Sequence, residues 1–342
     1  MKIDLFNHFF PKRYCDEYIN VGGRLKDIGK RVQNVPTIAN LDARFKVMDE
    51  FGEYTQFLSL PAPPLEAMDA PDKTPLMAKV ANDGLAELVG KYPDRFIGFC
   101  ASLPLNNVDA SLKELDRAIS QLGARGIQIF TNVAGKPLDL PEFEPIFAEM
   151  ARRDLPIWMH PARGAEMPDY RTEQKSKYEI WWTFGWPYET SAAMSRIVFS
   201  GLLDRYPGLK IITHHMGGMI PYFEGRVGYG WDQLGSRTSD EDYVSLLKSM
   251  KKRPIDYFRL FYGDTALFGG LAGTRCGLDF FGADHVVFAS DVPFEPAPGL
   301  YIRETIRVIE SLAISAEDKD KIYRRNALRL LKMDAKTQKS GN

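Results

Sequence analysis

The chain has 342 residues, with 44 Lys and Arg against 45 Asp and Glu, giving a formal net charge of -1. That balance excludes a general electrostatic pull toward nucleic acid or anionic membrane. The 44% hydrophobic and 26% charged content is that of a globular protein, no apolar run approaches the roughly 20 residues of a membrane span, and the first residues carry no signal-peptide pattern.

In chain order, short β-rich runs alternate with stretches of helical period. The strand candidates are IDLFN (3–7), YTQFLSL (54–60), FIGFCAS (96–102), RGIQIF (125–130), LPIWMH (155–160), LKIITH (209–214), RLFY (259–262) and HVVFAS (285–290). Helix candidates lie between most of them, including LMAKVANDGLAELVGKY, DASLKELDRAISQLG and EFEPIFAEMARR. The second carries Leu112, Leu115, Ile119 and Leu122 on one helical stripe. Eight βα repeats predict an α/β fold, a (β/α)8 TIM barrel. The competing doubly wound sheet places a glycine-rich loop after its first strand, whereas here that turn reads NHFFP. Residues 1–334 are expected to form one barrel domain. Segments 11–37 and 161–185 are expected as long loops over the C-terminal face, 300–334 as a closing helix and 335–342 as a frayed tail.

The five histidines are the most informative residues. His8, His160 and the pair His214 and His215 sit at the ends of predicted strands one, five and six, while His285 starts strand eight on the opposite side. Asp264 follows strand seven, and Asp291 follows strand eight in FASDVPF. The C-terminal strand ends of such a barrel meet at one mouth, so His8, His160, one of His214 and His215, and Asp291 are expected to meet there. Two histidines and a carboxylate can hold a catalytic divalent metal with a position left open. Because strand alternation turns neighbours to opposite faces, the glycine turn in HHMGGMIP is expected to bring His215 to the rim and leave His214 a structural role. Cys15, Cys100 and Cys276 match neither a disulfide framework nor a metal motif, which points to a reducing, cytoplasmic location.

MKIDLFNHFFP, DARFKVMDEFG, PIWMHP, GWPYETSAAMSRIVFSGLLDRYPGLKIITHHMGGMIPYFEGR and FASDVPF together resemble the amidohydrolase superfamily. The similarity is to the branch of aminocarboxymuconate-semialdehyde and γ-resorcylate decarboxylases. It implies one divalent metal, zinc or manganese, with His8, His160 and Asp291 as ligands. It also implies His215 as the catalytic histidine and Arg44 as a contact to the substrate carboxylate; Asp291 or His215 is expected to deliver the proton. That branch has His or Glu two residues before the ligand at position 8; this chain has Phe6, which cannot coordinate a metal and implies reduced or absent occupancy. RGIQIF contains no lysine to bridge two metals.

The resulting expectation is a decarboxylase of an aromatic or conjugated unsaturated carboxylic acid. Phe9, Phe10, Trp181, Trp182 and Trp186 are wall candidates, of which Phe10 and Trp182 are taken as substrate contacts, and Glu189 is expected to bind near the substrate or orient His160 or His215. A hydrolase or hydratase using the same residues is a second reading, and a metal-free binding homologue a third. Family habit and the apolar segment 178–188 imply a homodimer or larger homo-oligomer, with Arg226 near the neighbouring subunit's site. No nucleic-acid or membrane partner is expected.

Overall fold

The computed structural model describes residues 1–22, 35–237 and 241–333. Eight parallel strands follow one another in the predicted order: β1 (Lys2–His8), β2 (Tyr54–Ser59), β3 (Phe96–Phe99, resumed at Ala101–Ser102), β4 (Ile127–Phe130), β5 (Pro156–His160), β6 (Lys210–Thr213), β7 (Tyr262–Asp264) and β8 (Val286–Val287). The seventh starts where 259–262 was expected to end, because helix Pro254–Phe258 takes up the chain before it. Each pairs with its sequence neighbours, and β3 links the run β1–β2 to the run β4–β8 through its two halves. Backbone bonds from Leu5 to Phe288 (2.9 Å), from Asp291 to Phe6 (3.1 Å) and from His8 to Val292 (2.8 Å) join β8 to β1 and close the TIM barrel.

Period-two alternation sorts the strand residues into two cores. Phe6, Phe57, Trp158, Ile212 and Val287 fill the barrel interior, where Phe57 and Trp158 stack at 4.7 Å. The Trp158 indole donates to the Leu5 carbonyl at 2.8 Å, so this large ring is buried without stranding its N–H. Ile129, Ile157, Met159 and Ile211 point outward, into the layer beneath the helices. The register of β1 against β2 slips between Asp4 and Asn7. There the Asn7 amide donates to the carbonyls of Asp4 (3.0 Å) and Phe57 (3.1 Å), replacing ladder bonds that the bulge removes.

Helices Thr74–Lys91, Val108–Ser120 and Glu144–Arg153 occupy the predicted places. Asn107 caps the second, accepting from the Ala110 N–H at 3.1 Å. Two segments differ from expectation. The 11–37 stretch contains helix Lys12–Gly22, with the remainder of the expected loop to residue 34 outside the described residues. The closing segment is broken into Leu300–Ser311, Ala316–Asp320 and a further run to Leu331. Ser315 caps Ala316–Asp320 through its hydroxyl, which starts a new helix where a continuous one was expected. The expected tail 335–342 lies outside the described residues. Cys15, Cys100 and Cys276 are free, and no described helix is long and apolar enough to cross a membrane.

One buried carboxyl outside the histidine cluster sets a pH dependence. Glu66 is 7% exposed, its Oε1 has no hydrogen-bond partner, and burial raises its pKa to about 7. Its native proton is therefore held more tightly than the unfolded one. The stability contributed is full below the unfolded value of 4.5 and is lost as pH rises through 7. Glu66→Gln is expected to stabilise the fold by about 2–3 kcal/mol at pH 8 and by nothing measurable at pH 4. Urea melts at the two pH values check this; an equal effect at both would refute it.

Candidate active site

The chain leaves strand geometry at the end of β6, and this turn builds much of the site. Thr213 is the last strand residue; His214 remains extended, whereas His215 and Met216 take left-handed backbone with φ of 54° each. Gly217 and Gly218 follow with φ of 75° and 64°. A Cβ on Gly218 would stand 2.4 Å from the Pro187 carbonyl oxygen, so only glycine fits. Asp291 and Phe268 also have positive φ, at 61° and 54°. Four of the nine non-glycine residues with positive φ among the described residues thus stand at the mouth.

As a result both His214 and His215 face the site. His214 is in phase with Ile212 on the inner face of β6, and the left-handed turn adds His215 beside it at a ring separation of 3.8 Å. This corrects the expectation that His214 stands aside once the glycine turn brings His215 to the rim: the turn adds His215 without displacing His214. The missed signal was parity with Ile212.

Each inner histidine is anchored through Nδ1. That of His8 lies 3.0 Å from the Leu60 carbonyl and 3.1 Å from Ser59 Oγ; that of His160 lies 2.7 Å from the Pro161 carbonyl; that of His214 lies 2.5 Å from Asp264 Oδ2. A carbonyl can only accept, so Nδ1 carries the proton in His8 and His160, and Nε2 is left as a lone-pair donor toward the interior. Asp264 was placed at the end of strand seven from the sequence, without a role. Its Oδ1 also accepts from the backbone N–H groups of His215 and Ala266, at 2.9 and 3.1 Å.

Asp291 completes the centre. Its Oδ1 lies 3.1 Å from His8 Nε2 and 3.3 Å from His214 Nε2, and its Oδ2 lies 3.6 Å from His215 Nε2. Burial pushes the pKa of Asp291 up, but the charge of His214, 3.3 Å away, outweighs it and holds the carboxyl well below the usual range. Burial lowers His8, His160 and His215. It opposes charge on His214 as well, yet Asp264 and Asp291 overcome it and raise that imidazole. Although close to Asp291, His8 Nε2 and His214 Nε2 lack a hydrogen bond of acceptable geometry, as does His215 Nδ1. Buried imidazole nitrogens without partners, converging on a buried carboxylate, fit a divalent cation. Ligand atoms of His8, His160 and His214 lie within 4.8 Å of one another, as do those of His214, His215 and Asp291.

Phe6 lies beneath this cluster, fully buried, its ring 5.5, 5.9 and 4.0 Å from those of His8, His160 and His214. Above it a narrow pocket is lined by His160, Asp291, Ala62, Trp182, Trp186, Phe268 and Phe294. Ala62 and Trp186 also border a wider cleft of about 1060 Å³, which reaches Arg163 and Glu189.

Of the residues expected at the substrate, Arg44 and Phe10 are buried outside the pocket, and Glu189 borders only the wider cleft. Arg44 is buried, and its guanidinium donates to the His8 carbonyl, to the Thr37 carbonyl (3.3 Å) and to Gln56 (3.4 Å). Its charge holds the chain leaving β1 together, an outcome set by partners distant in sequence. Phe10 packs on Tyr14 at 5.3 Å in the layer between strands and helices. Glu189 pairs with Arg163 at 2.9 Å instead of orienting His160 or His215. Trp182 lines the pocket, its indole donating to Glu179 at 2.6 Å. Arg226 is exposed, beside the Phe223 ring.

Comparison with known proteins places this geometry. The chain is 34% identical to the γ-resorcylate decarboxylase of Rhodococcus jostii, over 95% of this chain and 93% of that one. It is 29% identical to the 2-amino-3-carboxymuconate-6-semialdehyde decarboxylase of Dictyostelium discoideum, over 98% and 92%. Among solved structures, the dihydroxybenzoic acid decarboxylase of Polaromonas sp. JS666, with bound manganese and the inhibitor 2-nitroresorcinol, superposes with a TM-score of 0.78. That pair shares 29% identity over 97% of this chain and 96% of that one. The profile of the Amidohydrolase family matches residues 3–333, and the chain belongs to that family.

Proposed function

We propose that this protein removes the carboxyl group of an aromatic carboxylic acid as carbon dioxide, with one divalent cation held by residues that include His8, His160 and Asp291. The observation that carries this reading is the convergence of partnerless imidazole nitrogens and Asp291 at the floor of an aromatic-walled pocket. The names of the relatives support the same reaction class.

The bound cation supplies a Lewis acid and a template for a substrate oxygen. Trp182, Trp186, Phe268 and Phe294 hold a planar ring and exclude water around it. Asp291 and His215, with Oδ2 and Nε2 3.6 Å apart, hold the proton delivered to the ring carbon. As that C–H bond forms, the bond to the carboxyl carbon breaks, its electron pair returns to the ring and carbon dioxide leaves; water then restores the proton to the pair.

The test incubates chelator-stripped protein with zinc or manganese and a panel of hydroxybenzoates and carboxymuconate-type acids. Carbon dioxide release that falls to background on chelation and returns with metal is expected. Water addition without carbon dioxide, or activity untouched by chelation, overturns the reading. We further propose a homodimer through the exposed rings of Tyr178, Phe184 and Tyr188; sedimentation at the single-chain mass would exclude it.

A further inference from the structure

Among the described residues, His214 alone belongs to both groups able to hold a metal. We infer that His214 is itself a ligand of the cation, oriented by Asp264, and that it supplies from β6 the donor that Phe6 cannot supply from β1. This rests on the single-cation reading given above.

Three observations carry it. First, His214 is fully buried, yet its Nε2 makes no hydrogen bond of good geometry and faces the Asp291 carboxylate at 3.3 Å, while its Nδ1 is held by Asp264 at 2.5 Å. A buried histidine with a purely structural task satisfies both nitrogens; one that ligates a metal has one nitrogen oriented by a carboxylate and the other free. Second, Asp264 is itself pinned by two backbone N–H groups, from His215 and Ala266, so it fixes the imidazole instead of following it. Third, the Phe6 ring lies against His214 at 4.0 Å and a tilt of 33°. It has no donor atom, and it packs the space beside the imidazole with apolar surface. Phe6 and His214 therefore act as a pair: the ring at position 6 supports the ligand at position 214.

Crystals of the wild-type protein loaded with zinc read the ligand set directly. Anomalous density about 2.0–2.1 Å from Nε2 of His214 is expected, as well as from His8 and His160. Zinc bound to His8, His160 and Asp291, with His214 Nε2 beyond about 3 Å, overturns the assignment and leaves the cation reading standing. No density, joined to no zinc binding by calorimetry, removes both.

Calorimetry with zinc alone also separates the roles. His214→Ala is expected to weaken binding by more than about 100-fold, and Asp264→Asn by about 10–100-fold with the fold retained. The double variant Phe6→His/His214→Ala is expected to recover at least about tenfold of the affinity lost in His214→Ala. Unchanged affinity in both single variants, each verified as folded by its thermal melt, overturns the inference. If His214→Ala does not fold, Asp264→Asn and the wild-type crystals decide alone.

Discussion

Replacing Asp291 with asparagine is expected to lower kcat by about three orders of magnitude, with the far-ultraviolet circular dichroism unchanged. The carboxylate touches three histidines, with Oδ1 toward His8 and His214 and Oδ2 toward His215. Asparagine keeps the volume but loses the negative charge and turns an amide N–H₂ to one side, which can neither coordinate a cation nor take a proton from an imidazole. On the proposed reading, the hold on the cation and the proton path to His215 are expected to be lost together. Rates should be measured at saturating zinc or manganese, so that weakened metal affinity does not masquerade as lost chemistry. A variant retaining a tenth of the wild-type kcat would remove Asp291 from the reaction.

Arg44→Ala is expected to cost about 3–5 kcal/mol of stability. The guanidinium is 2% exposed, and its donors go to the carbonyls of His8 and Thr37 and to Gln56, with the Phe9 ring 5.5 Å away. Truncation leaves those acceptors buried and unpaired. Arg44→Lys is expected to recover only part of the loss, because a single ammonium cannot fork between acceptors as a guanidinium does. Denaturant melts measure the cost, and KM for the acid substrate should stay within about threefold in the variant that remains folded. A tenfold rise in KM without loss of stability would return Arg44 to the substrate, as its motif in DARFKVMDEFG implied. Because Arg44 grips the carbonyl of His8 itself, partial unfolding here should also reduce metal retention.

The two residues show where reading a chain succeeds and where it stops. Asp291 was legible: it directly follows a β-rich run, and the end of a barrel strand has one destination, the mouth. His8 and His160 were legible for the same reason, as were the order of the eight strands and the position of the helices between them. Arg44 was not, because two of its three hydrogen-bond partners are backbone carbonyls, which no side-chain pattern encodes. The pairing of Glu189 with Arg163 was likewise not legible, since it spans 26 residues across a loop.

His214 marks the boundary most sharply. Two adjacent histidines after a strand define a site within one residue, and alternation says that one of them faces away. The backbone evades that rule by ending the strand at Thr213 and placing His215 at φ 54°, a conformation that the glycines at 217 and 218 help the turn to reach. The amino-acid sequence by itself determined the barrel, its mouth and the residue types gathered there, because these follow from local periodicity and strand direction. Only the tertiary structure decided that both histidines enter, that Asp264 holds one of them and that Phe6 packs beneath it. Those outcomes depend on backbone torsion and on contacts between strands far apart in the chain.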